Sequence, residues 1–132
     1  MGYESKFYAV KKYDFKATKD LKYDASEIIA TLDVSKMGYS DNVNKFLSLF
    51  DKEAPFMLWI DGYDSEKEAE VMVYTHEDRY GEPITYITDK KKGIKLLKEI
   101  IKEDDYWRFD LLLRFMKAFK DHDDVYICHY GH

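Results

Sequence analysis

The amino-acid sequence predicts an α+β fold, with an antiparallel or mixed sheet of about five or six strands and three helices packed on it. Three observations carry that expectation. Apolar residues alternate at period two in several short runs of the first two thirds of the chain. Two long runs at helical spacing are collected in the last third, and no regular strand–helix alternation occurs.

"YESKFYAVKKYDF" (3–15) reads as the first strand. Phe7 and Ala9 fall on one side and Tyr8 and Val10 on the other, so both faces are covered at its centre. The polar stretch 17–26 is turn-like. "EIIATLDVS" (27–35) follows as a half-buried strand, with Ile28, Ala30, Leu32 and Val34 at period two and Ile29, Thr31 and Asp33 opposite. The two strands are expected to pair antiparallel. "YSDNVNKFLSLF" (39–50) begins with the capping residues Ser40 and Asp41 and sets Val43, Phe46, Leu47 and Phe50 at helical intervals.

After Pro55, the continuous apolar run "FMLWI" (56–60) predicts a central strand covered on both faces, with Trp59 in the core. Asp61-Gly62 marks the turn in 61–67, and "AEVMVYTH" (69–76) returns as the second arm of a hairpin. "EDRYGEP" turns the chain into a short strand, "ITYIT" (84–88).

"DKKKGIKLLKEIIKEDD" (89–105) places Ile94, Leu96, Leu97, Ile100 and Ile101 at helix intervals, capped by Thr88 or Asp89. "YWRFDLLLRFMKAFKD" (106–121) is a second long helix. Phe109, Leu112, Leu113, Met116 and Phe119 mark one apolar stripe, and Trp107, Leu111 and Phe115 mark another. A helix apolar over so much of its circumference is buried on two sides, by its own fold or by a partner. The second stripe is therefore the candidate interaction surface, in contact with a protein partner or a second copy of the chain. "VYICHY" (125–130) closes the chain as a strand.

At 132 residues, with two prolines, six glycines and no low-complexity tract, the chain is expected to form one domain over 1–132. No apolar run approaches the length of a membrane helix, and "MGYESKFYAV" lacks the layout of a signal peptide. With one cysteine, disulfide scaffolding is excluded, and a cytoplasmic protein is expected. A net charge of −5 argues against direct nucleic-acid binding. An acidic nucleic-acid mimic would need its carboxylates along one face, and here acids and bases interleave, as in "SEKEAE".

Cys128, His129 and His132 are the densest group of potential ligands. On a strand, Cys128 and His132 lie about 13 Å apart, too far to share a tetrahedral zinc unless the terminus curls back. Burial in an apolar strand would also make the thiol inert. Cys128 is therefore expected to be a packing residue, and no metal, cofactor or catalytic residue is assigned. Among the acids, only Asp33 and Asp61 sit in settings suggestive of acid–base work, which leaves a small hydrolase or nuclease as the alternative to a binding module. No phosphate-binding or nucleophile-elbow glycine pattern occurs.

With "MGYESKFYAV" at one end, "HYG" at the other and an acidic body that is 17% aromatic, the chain resembles small uncharacterised proteins carried by phages and prophages of Gram-positive bacteria. The resemblance implies an accessory protein that binds a host protein, for example to inhibit a defence nuclease. Together with the aromatic excess, it points to a non-enzymatic protein-interaction module.

Overall fold

The computed structural model of the chain describes residues 5–12, 26–34, 40–78 and 81–131. Of the turn predicted at 17–26, residues 17–25 lie outside the described residues, and Ser26 is the first residue of a strand. The elements run β1 (Ser5–Lys12), β2 (Ser26–Asp33), α1 (Asp41–Leu47), β3 (Lys52–Glu53), β4 (Leu58–Asp64), β5 (Ala69–Thr75), β6 (Thr85–Tyr86), α2 (Lys90–Glu103), α3 (Trp107–Ala118) and β7 (Val125–Gly131). Five strands form one sheet in the order β2-β1-β7-β6-β3, with antiparallel pairing throughout, and among the described residues β4 pairs only with β5. The fold is α+β, as expected.

The sheet is covered on both faces. On one side, Phe7, Ala9, Val125 and Ile127 meet the helices through Val43, Phe46, Leu97, Phe109, Leu112 and Met116, all of them buried. On the other side, Tyr8, Val10, Cys128 and Tyr130 meet Phe56, Leu58 and Ile60. Adjacent apolar residues on one strand thus belong to two cores, which is why "FYAV" has no polar member.

Local chemistry sets the helix ends. Ser40 caps α1, its Oγ accepting from the Val43 N–H at 3.2 Å, and Asp89 caps α2, its Oδ1 accepting from the Lys92 N–H at 3.0 Å. Asp104 holds the linker to α3: its Oδ1 accepts from the Tyr106 N–H, and its Oδ2 accepts from the Asn42 amide at 2.9 Å. Gly93 lets α2 lie close to its neighbours. A Cβ there would stand 2.7 Å from Ile87 Cδ1 and 3.1 Å from Met116 Cε.

Three expectations need correction. "FMLWI" is not a central strand: its residues lead into β4, which lies in a separate two-stranded layer. Only its inward residues Phe56, Leu58 and Ile60 are buried, and Trp59 points outward at 45% exposure. The middle of the sheet belongs to β7, whose consecutive residues Ile127 and Cys128 face opposite sides and are both fully buried. Next, Asp61-Gly62 is no turn. Both residues lie within β4, and the chain reverses at 65–68, where Asp64 Oδ1 accepts from the Glu66 and Lys67 N–H groups and Glu68 takes a positive φ of 48°.

The third correction concerns β2. Ala9 pairs with Ala30 but Val10 pairs with Ile28, so Ile29 is an extra residue, a β-bulge. The bulge reverses the phase of the strand. Ala30 and Leu32 pack on the helix side, whereas Ile28 packs on the hairpin side. Ile29 itself is 44% exposed.

Candidate functional site

The hairpin β4–β5 is narrower than the sheet it covers. Beside it an open groove of about 600 Å³ remains over β1 and β2, lined by Lys6, Tyr8, Ser26, Ile28, Thr31, Asp33 and Trp59, with Glu27 and Ile60. The bulge builds this groove. Thr31 and Asp33 pair across from Tyr8 and Lys6, and Ile28 pairs across from Val10, so both halves of β2 turn the same way despite opposite sequence parity. Without the extra residue, Ser26 and Ile28 would face the helices. Ser26 Oγ donates to the Met57 carbonyl at 2.7 Å and ties the start of β2 to the approach to β4.

Among the described residues, the lining combines an indole face, two isoleucines, three hydroxyls, one ammonium and two carboxylates. Among the described residues, neither histidine nor cysteine lines it. Asp33, singled out in the sequence as a possible acid, is one of the two carboxylates. Asp61 is a β4 residue whose backbone pairs with Met72.

The surface expected from the sequence lies elsewhere, on α3. Trp107 is 59% exposed, with the Arg108 guanidinium 4.5 Å from its ring centre and hydrogen-bonded to the Tyr106 hydroxyl. Leu111 and Phe115 are half-buried. Phe115 packs against the helix-side core and meets the Phe119 ring edge-on at 5.5 Å. The second stripe is thus divided, its C-terminal end drawn inward and its N-terminal end left to solvent.

Cys128 and His129 face opposite sides of β7 and form no pair. Cys128 is fully buried beneath the hairpin, and desolvation pushes its thiol pKa far upward. His129 stacks with Phe7 at 5.0 Å on the helix side, its Nε2 at 3.2 Å from Ser5 Oγ. His132 lies outside the described residues. Among the described residues no group of three or more His, Cys, Asp or Glu side chains is placed to hold a metal ion, and no helix is long and apolar enough to cross a membrane.

Sequence reasoning missed the groove because it assigned Trp59 to the core and carried one phase through β2. The legible signal was the polar set Thr31 and Asp33 opposite an apolar strand face, beside Lys6 and Tyr8 on the neighbouring strand. No family model, curated protein or solved structure matches the chain.

Proposed function

We propose that the protein is a non-enzymatic interaction module that receives an extended segment of a protein partner in the groove beside Trp59. One observation carries the reading: an open groove of about 600 Å³ is walled by an exposed tryptophan and floored by strand residues of mixed polarity. Tryptophan is the side chain most enriched at binding hot spots. A groove between strand β2, at the sheet edge, and strand β4, at the hairpin edge, offers main-chain groups as well as side-chain pockets to an extended chain. The resemblance to phage accessory proteins supports a host protein as the partner class.

Two other placements have an observation each. The exposure of Trp107 favours α3, with Leu111 and Phe115, as the contact surface. The presence of both Glu27 and Asp33 in the groove favours a hydrolytic site. Capture from a Gram-positive lysate by immobilised wild-type, Trp59→Ala and Trp107→Ala proteins separates them. The groove reading expects a specific partner lost only with Trp59→Ala, at unchanged folding. Loss only with Trp107→Ala transfers the site to α3. Turnover of a captured ligand that Asp33→Asn abolishes would replace binding by catalysis.

A further inference from the structure

Charge is segregated in this molecule. Helices α2 and α3 together carry nine Lys and Arg against three Asp and Glu. That leaves 12 of the 21 basic and 23 of the 26 acidic residues for the rest of the chain. Within α2 the segregation sharpens into a row. Lys91, Lys95, Lys98 and Lys102 are all exposed, and their spacing of four, three and four residues sets them on one side of the helix. The row is about 16 Å long at helical rise. The opposite side holds the buried Gly93, Ile94, Leu97 and Ile100.

Lys90 does not belong to the row. Its ammonium donates to the carbonyls of Phe119 at 3.1 Å and His122 at 2.5 Å, closing the C-terminal end of α3. The four others have no such structural task among the hydrogen bonds and ion pairs of the described residues. Like charges four apart on a helix repel, so the row opposes helix stability, and Glu99, four residues from Lys95 and three from Lys102, offsets it only in part. Beside the row, half-buried Leu96 and Leu49 floor a depression of about 250 Å³ rimmed by Lys92, Lys95 and Glu99.

We infer that this face of α2 docks an acidic, amphipathic segment of a protein. Carboxylates at helical spacing would meet the lysine row, and one or two aliphatic side chains would enter the depression over Leu49 and Leu96. Charge complementarity selects the sign of the partner, and the apolar floor selects protein over nucleic acid. The acidic remainder of the chain also repels a polyanion that extends past the short row. This surface is independent of the groove beside Trp59, which lies on the opposite face of the sheet.

The test uses a rhodamine-labelled helical peptide of about four turns, with glutamates at four-three-four spacing and leucines on the adjoining stripe, followed by fluorescence anisotropy. The expected result is saturable binding that weakens with salt. A variant with Lys91, Lys95, Lys98 and Lys102 all changed to Gln should bind about tenfold more weakly or worse, because close charge pairs dominate such contacts. Glutamine keeps nearly the helix propensity of lysine, so the variant stays folded. A control with Lys45, Lys52, Lys67 and Lys120 changed to Gln loses the same charge elsewhere and should bind as wild type does. Equal loss in both variants, or no saturable binding, overturns the proposal. Tighter binding of a single-stranded oligonucleotide of matched charge, lost in the same four-lysine variant, overturns the choice of protein. A salt-sensitive dimer seen by light scattering, abolished by the row variant, would make a second copy the occupant instead.

Discussion

On one face of the sheet, three helices close a core over Phe7, Ala9, Val125 and Ile127, with fifteen of the described residues buried in it. On the other, a hairpin and its flanking segments close a core over Tyr8, Val10, Cys128 and Tyr130, with nine of the described residues buried in it. The larger cluster covers β1 and β7 on its side. The smaller one leaves β1 and β2 partly uncovered, and there the groove opens beside Trp59. The same strands serve both sides, so the difference comes from what covers them. Each helix has a wide apolar stripe to offer, whereas a two-stranded layer offers only alternate residues. Stability is therefore concentrated under the helices, and the accessible surface of mixed chemistry lies on the hairpin side.

The largest effect that could break this comparison is expected at Phe109, which is fully buried under the helices. Phe109→Ala should cost about 3–5 kcal/mol by denaturant unfolding, a large part of the ordinary stability of about 5–15 kcal/mol for a domain. A loss below about 1 kcal/mol would show that the helix side is not the principal core.

Cys128 probes the hairpin side. Its thiol is held neutral by burial, so its folded pKa stands above the unfolded value. Stability linked to it is complete below the ordinary thiol pKa of about 8.5 and declines as pH rises beyond it, because the unfolded chain ionises first. By pH 10 the loss should approach about 2 kcal/mol, at 1.36 kcal/mol per unit. Cys128→Ala should remove that part of the slope. If wild type and variant keep the same pH dependence through this range, the hairpin does not exclude water from β7.

The smallest effects are expected at the two tryptophans. At 45% and 59% exposure, Trp59 and Trp107 contribute little to the cores. Trp59→Ala and Trp107→Ala should each lower stability by about 1 kcal/mol or less, in contrast to the 3–5 kcal/mol of a fully buried tryptophan. A core-sized loss at Trp59 would mean that the hairpin packs more deeply than its two layers suggest.

Much of the fold was legible where the signal is local. Ser40 and Asp89 announce helix starts because their side chains satisfy N–H groups three residues away. The stripe Ile94, Leu97 and Ile100 fixes the inward face of α2. "FYAV" needs cover on both faces, because every second residue of a strand points the other way. The burial of Cys128 followed in the same manner from its apolar neighbours.

The sequence by itself thus determined the class of fold, the helix caps, the pairing of β1 with β2 and the two-sided burial of β1. Tertiary structure alone decided which apolar strand is central, where the β4–β5 turn falls, and which tryptophans face solvent. "FMLWI" and "VYICHY" look equally fit for the middle of a sheet, and only their neighbours distinguish them: β7 lies between β1 and β6, whereas β4 has one partner among the described strands. The bulge at Ile29 was hidden for the same reason. Period-two reasoning assumes an unbroken ladder, but the phase of a strand is set by its hydrogen-bonded partner, and one extra residue reverses every side chain beyond it.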